Sequence, residues 1–212
     1  WIAFPYKGAL HLGKPPIPRE STETYRFPFT SFNILVPHRD PVCERTIHHV
    51  LQTVQPDIVH IVHFLGYPLS LFEAVLGTGK PVVMTFHDYY AIHPFYTLEG
   101  CGDPREALTP EYSVKVLGSD LSSYVRQRVE FLGRVMEHVP YLTVPSPYLA
   151  RRLSGVYPNR FSVVEYGIEP FAVPPRIRDW KPFRFGFFGS LLPQKGWDSL
   201  LEPFRRVRAR HP

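Results

Sequence analysis

The sequence lacks most of the features that would classify it at a glance. Only two cysteines, Cys43 and Cys101, occur in 212 residues, too few for a disulfide framework or a structural zinc site. No apolar run approaches the roughly 18–20 residues that cross a bilayer, and the first residues do not read as a signal peptide. A cytoplasmic protein kept in a reducing compartment is the expectation. The phosphate-binding pattern G-x-x-x-x-G-K-[ST] is missing, as are G-x-G-x-x-G and the G-x-S-x-G nucleophile turn. No pair of acids is placed for glycoside hydrolysis. His60 and His63 lie three apart in an expected strand and would face opposite sides, and His48 and His49 diverge on a helix. Neither pair has a Cys or carboxylate at ligand spacing, so no metal is expected.

Excess charge is also absent from most of the chain. The net charge is +5, yet residues 181–212 carry seven basic groups against two acids and the rest balances at 17 of each. A neutral body with a basic end does not read as a nucleic-acid surface. What the chain does have is 44% hydrophobic and 15% aromatic residues, enough for a real core, together with 24 prolines that punctuate it.

Prolines at 5, 15, 16, 18 and 28 make residues 1–32 read as irregular. Asn33–Val36 reads as the first strand. Asp40-Pro41 then forms a cap-and-first-turn pair that opens a helix to about Gln55, with Val42, Ile47, Val50, Leu51 and Val54 on one face. The β-branched run Ile58–His63 predicts a strand buried on both faces. A helix over Pro68–Gly77 and a strand over Pro81–Phe86 follow. Residues 87–118 show no period and are expected to be one long loop, a length usually reserved for function. Asp120 caps a helix to His138, with Leu121, Val125, Val129, Leu132 and Val135/Met136 as its stripe. Tyr141–Val144 is a strand, Ser146-Pro147 opens a helix to Leu153, and Phe161–Val164 is a last strand. The Pro-rich stretch 166–182 has linker composition. Beyond it Phe183–Phe188, Gly189–Gly196 and Trp197–Arg210 read as strand, loop and helix. This order predicts an α/β fold: a Rossmann-like parallel sheet with helices on both faces, then the first β-α unit of a second Rossmann-like domain.

Chemistry is expected at two places. Thr85-Phe86-His87-Asp88-Tyr89-Tyr90 follows the carboxyl end of a parallel strand, where open sheets bind ligands. Here His87 and Asp88 can pair with hydroxyls and the tyrosines offer apolar faces, although a strand-end His is as often a local cap. Gly189-Ser190 through Lys195-Gly196 leads into a helix start, where free N–H groups and a lysine favour an anion. An ordinary turn with a surface lysine is the plain alternative. Ser146 is explained by capping alone.

Taken in order, these motifs resemble glycosyltransferase family 4, a retaining family of the GT-B architecture. Pro56-Asp57-Ile58-Val59-His60, Lys80-Pro81-Val82-Val83 and Thr85–Tyr89 are similar to its N-terminal domain. So are Val144-Pro145-Ser146 with Tyr148-Leu149, and Val163–Ile168, where the family more often has Asn-Gly than Tyr166-Gly167. Phe187–Ser190 through Lys195-Gly196 resembles the first loop of the donor-binding domain. The resemblance covers about residues 33–210 and implies an acceptor-side domain over 1–165, a linker over 166–182 and a truncated donor domain over 183–212.

It implies transfer of a sugar from a nucleotide-sugar to an acceptor hydroxyl on a glycan or lipid-linked molecule, without cofactor or metal. His87 is the implied catalytic residue. Asp88, Tyr89 and Gly8 are the implied substrate contacts, with Gly8 in a shortened form of the family's opening loop. Gly189, Ser190 and Lys195 are the implied diphosphate contacts, and Ser190 stands where the family has an arginine. The missing Met and the absent downstream acidic motif fit a piece of an enzyme, inactive alone. No nucleic-acid partner is implied, and attachment at the inner membrane face is compatible with the resemblance. A nucleotide-sugar epimerase and a non-catalytic flavodoxin-like module are the competing readings.

Overall fold

A computed structural model describes residues 2–6, 24–28, 35–167, 185–191 and 195–211. Two compact units divide the chain, Trp1–Tyr166 and Gly167–Pro212.

The first unit is built on a four-stranded parallel sheet. Its strands are β3 (Val59–Val62), β4 (Val82–Thr85), β5 (Tyr141–Val144) and β6 (Ser162–Val163), hydrogen-bonded in that order. The first pairing sets Val59 against Val82 and the second sets Thr85 against Thr143. Helices α2 (Ser70–Leu76), α4 (Ser122–Glu137) and α5 (Pro147–Ser154) lie in the crossovers, and α1 (Pro41–Val54) precedes β3. The fold is α/β and Rossmann-like, as the alternation of strand and helix patterns requires.

Strand order follows chain order, with the connections made as simple crossovers. Burial alternates along the strands. Ile61, Val82, Met84, Leu142 and Val144 are buried, whereas their neighbours His60, Val62 and Tyr141 are exposed and Val83, Thr85 and Thr143 are half-buried. The expectation that Ile58–His63 is buried on both faces is therefore corrected: Ile58 and Val62 are exposed. On the open face a line of hydroxyls crosses the strands, from His60 Nε2 to Thr85 Oγ1 at 2.7 Å and on to Thr143 Oγ1 at 2.6 Å.

The helix ends follow their caps. Asp40 accepts from the N–H groups of Val42 and Cys43 at 2.9 and 3.1 Å, and Ser146 accepts from Leu149 N–H at 3.2 Å. In α1 the buried face is Cys43 and Ile47 with Val50 and Leu51 partly buried; Val42 points outward, one position off the expected stripe. Asp120 accepts from Ser122 N–H at 3.0 Å at the start of α4. Leu132 and Leu153 are fully enclosed, each gaining about 1.5–3 kcal/mol from burial.

Two regions depart from expectation. Residues 87–118 are not one irregular loop. They contain a 3-10 turn over Pro104–Leu108, closed by a reciprocal Asp103–Glu106 cap, and helix α3 (Pro110–Leu117), capped by Thr109 and ended by Gly118 at φ 75°. Both helices are too short to show a period. The segment is tied down from α5: Arg152 donates to the carbonyls of Gly102 and, at 2.9 Å, Cys101. Within 1–32, β1 (Ile2–Tyr6) and β2 (Thr24–Pro28) pair in parallel. Their prolines block helices but fit a two-stranded ladder, in which both strands are edges. Of the expected strand 33–36, Asn33 and Ile34 lie outside the described residues, and Leu35 and Val36 are not in a strand.

In the second unit, α6 (Trp197–Arg210) forms as expected, with no buried residue. The expected strand 183–188 does not form over its described part, 185–188. A strand needs a neighbour to pair with, and none occurs among the described residues of this unit. Among the described residues, no helix is long and apolar enough to cross a membrane.

Candidate functional site

The site grows from the carboxyl end of β4. Phe86 is buried and its N–H donates to Thr143 O at 2.9 Å, so the backbone leaves the sheet at His87 in a fixed direction. Asp88 closes the turn by accepting from Tyr90 N–H at 2.8 Å. Its other oxygen lies 3.5 Å from His63 Nδ1. His63 follows the end of β3 with φ 62°, a left-handed conformation that swings its ring out of strand alternation and toward the β4 turn. The His63 and His87 rings are 6.5 Å apart, edge to face. The alternation that separates His60 from His63 ends at Val62, one residue before His63. Among the described residues, no group of three His, Cys, Asp or Glu side chains is arranged to hold a metal.

His87 is held tightly. Its ring stacks on Tyr166 with centroids 5.4 Å apart and planes 13° from parallel, and its Nδ1 is hydrogen-bonded to the Tyr166 hydroxyl. Its Nε2 is shielded from solvent and has no partner. Desolvation lowers the His87 pKa, and the neighbouring His63 and His60 push it the same way while Asp88 opposes them. The imidazole is therefore neutral at ordinary pH, with one nitrogen accepting and the other donating.

The turn is pinned from below by a residue that the sequence reading passed over. Arg128 of α4 is 1% exposed, yet it carries a charge. Its guanidinium lies 4.2 Å from the Tyr90 ring centroid and 5.8 Å from that of Phe64. It donates to Ala91 O at 3.3 Å, and the hydroxyl of Tyr157 donates to the same carbonyl at 2.5 Å. Nε and Nη2 of Arg128 have no hydrogen-bond partner. A visible signal existed: position 128 falls three after Val125 and four before Leu132, on the apolar stripe itself.

Of the residues singled out in the sequence, His87, Asp88 and Tyr89 are adjacent in this turn. Tyr89 is half-buried, with the Arg152 guanidinium 5.8 Å from its ring centroid. Gly8 lies outside the described residues. Gly189, Ser190 and Lys195 belong to the second unit, where Lys195 is exposed and Gly196, at φ 67°, starts α6 without a side-chain cap. His63, Arg128 and Tyr166 are additions from the structure.

A family profile described as Glycosyltransferase Family 4 matches residues 9–170. The chain belongs to glycosyltransferase family 4. No curated protein and no solved structure matches it. The span covered by the family 4 match contains β3 to β6 and the whole His63–His87–Tyr166 cluster, so membership and geometry bear on the same residues. As a family 4 domain it implies a sugar donor and an acceptor in general terms.

Proposed function

We propose that this chain is the acceptor-side domain, with the beginning of the donor-binding half, of a retaining GT-B glycosyltransferase. It moves a sugar from a nucleotide-sugar to a hydroxyl of a glycan or lipid-linked acceptor. The observation that carries the reading is the His87–Asp88 turn at the carboxyl end of β4, inside the span matched by the family. Parallel sheets bind ligands at that end because the crossovers leave a crevice there.

In this reading His87 orients a sugar oxygen and Asp88 holds the turn. As the donor bond breaks, negative charge builds on the leaving diphosphate and positive charge on the sugar ring. Lys195 and the uncapped N–H groups at the start of α6 meet the diphosphate. Ser190 replaces a cation with a hydroxyl, which leaves Lys195 with a larger share of that task. Chemistry of this kind needs water excluded, since water competes with the acceptor hydroxyl.

The test uses the full-length gene product. A panel of UDP-, GDP- and ADP-linked hexoses is screened by thermal shift, and release of nucleoside diphosphate is then measured with and without candidate acceptors. A stabilising donor whose diphosphate is released, and whose binding weakens at least tenfold in Lys195→Ala, supports the reading. No shift and no release with any donor would sink it.

A further inference from the structure

The polar atoms of His87 are not equivalent. Nδ1 is taken by the Tyr166 hydroxyl, whereas Nε2 has no partner. A polar atom removed from water with nothing in exchange is unfavourable, so Nε2 is the nitrogen with a bond still to make. The ring cannot turn freely to offer the other one: Tyr166 lies flat against it at 13°, and His63 stands edge-on, with ring planes at 72°.

We propose that Tyr166 is a positioning residue for His87, fixing both the plane of the imidazole and its tautomer so that Nε2–H faces the substrate. A tyrosine hydroxyl can donate to Nδ1 or accept from Nδ1–H; in the proposed arrangement it donates. Burial, with Asp88 behind it, pushes the Tyr166 phenol above its usual range, so the proton to donate is kept. A neutral imidazole that accepts at Nδ1 carries its proton at Nε2. His87 then presents a donor, which suits an oxygen lone pair on a sugar hydroxyl and does not suit proton abstraction. A carboxylate in this place would accept from Nδ1–H and leave Nε2 a base; a tyrosine that donates to Nδ1 leaves Nε2 a donor.

The role of the pair in transfer rests on the glycosyltransferase reading; the bond between the two side chains does not. The test therefore has two arms. Tyr166 is 64% exposed, so its substitution leaves the core intact. In the first arm, nitrogen NMR of the histidine-labelled protein reads the His87 tautomer without substrate. The wild-type protein shows the Nε2–H form, and Tyr166→Phe, which keeps the stack and loses the hydroxyl, shows a mixture. An unchanged tautomer in Tyr166→Phe overturns the proposal. In the second arm, Tyr166→Phe lowers kcat about tenfold, the equivalent of one net hydrogen bond, with KM little changed, and Tyr166→Leu lowers it further. A fall in KM with kcat retained would overturn it as well, because Tyr166 would then be occupying the substrate's place. If no donor turns over in the wild-type protein, the transferase reading fails and the NMR arm alone decides the bond.

Discussion

The carbonyl of Ala91 offers a stability measurement with a defined answer. Ala91 is 1% exposed, and its oxygen receives Tyr157 Oη at 2.5 Å and Arg128 Nη1 at 3.3 Å. Tyr157→Phe removes one donor and keeps the ring, so the carbonyl retains Arg128 and the loss is that of one net hydrogen bond, about 1 kcal/mol. Arg128→Met also removes one donor. It forfeits a charge-assisted bond of about 1.5–3 kcal/mol and a desolvated cation–π contact of about 2. Against that, it relieves a buried charge whose Nε and Nη2 are unpartnered, at about 1–3 kcal/mol for each group. The net change for Arg128→Met is small, within about 2 kcal/mol of zero. Together the two substitutions do something neither does alone: they strand a buried acceptor, adding about 1–3 kcal/mol. Urea unfolding of the wild type, both single variants and the double variant, followed by fluorescence, gives the coupling from the midpoints if the m-values agree. A coupling above about 1 kcal/mol is expected. Additivity to within about 0.5 kcal/mol would refute the account, since the carbonyl would then have no need of either donor.

Two further outcomes follow from the same geometry. His93 is fully buried, accepts from Phe95 N–H at 2.9 Å, and is pushed down to about 4 chiefly by desolvation. Below about pH 6.5 the unfolded chain takes up a proton that the folded chain refuses, so this contribution is complete above about 6.5 and is lost as pH falls toward 4; the stability–pH slope in that window should be shallower in His93→Asn, and equal slopes would contradict a buried neutral His93. Asp40→Ala should cost about 1 kcal/mol in urea unfolding by removing the cap of α1, with Asp40→Asn recovering most of it; no change on Asp40→Ala would mean that the helix start is held by packing alone.

Much of this fold could be read in the sequence where a residue type has one mechanical job. Asp40-Pro41 and Ser146-Pro147 located the helix starts because a short acceptor followed by a residue without an N–H fits no other place so well. Val82–Thr85 and Tyr141–Val144, rich in β-branched and aromatic residues, read as strands for a similar reason. What escaped has a physical cause in each case. Helix α3 is shorter than the window in which a period shows, and only its Thr109-Pro110 cap announces it. The uncovered face of β3 depends on which side the crossovers take, and no local pattern carries that. His87 and Asp88 follow the end of β4, the position their place after the Val82–Thr85 run implies. His63 escapes because strand alternation stops at Val62, at a backbone turn that only the structure displays. Arg128 escapes because charge usually marks surface. Tyr166 is far in sequence from its partner, and its contact with His87 is a product of the fold.

The order of pairing in the sheet has a kinetic consequence. β3 and β4 are joined by a short crossover through α2, and β5 and β6 by another through α5, whereas β4 and β5 are separated by the whole excursion through α3 and α4. Closing a longer loop costs more entropy. Loop closure therefore favours the two outer pairs, and the seam between β4 and β5, marked by Met84 against Leu142 and Thr85 against Thr143, is expected to close last. His87 stands on one lip of that seam and Tyr166, beyond β6, belongs to the other. Their bond spans the final joint, so an incompletely folded chain does not assemble the His87–Tyr166 pair.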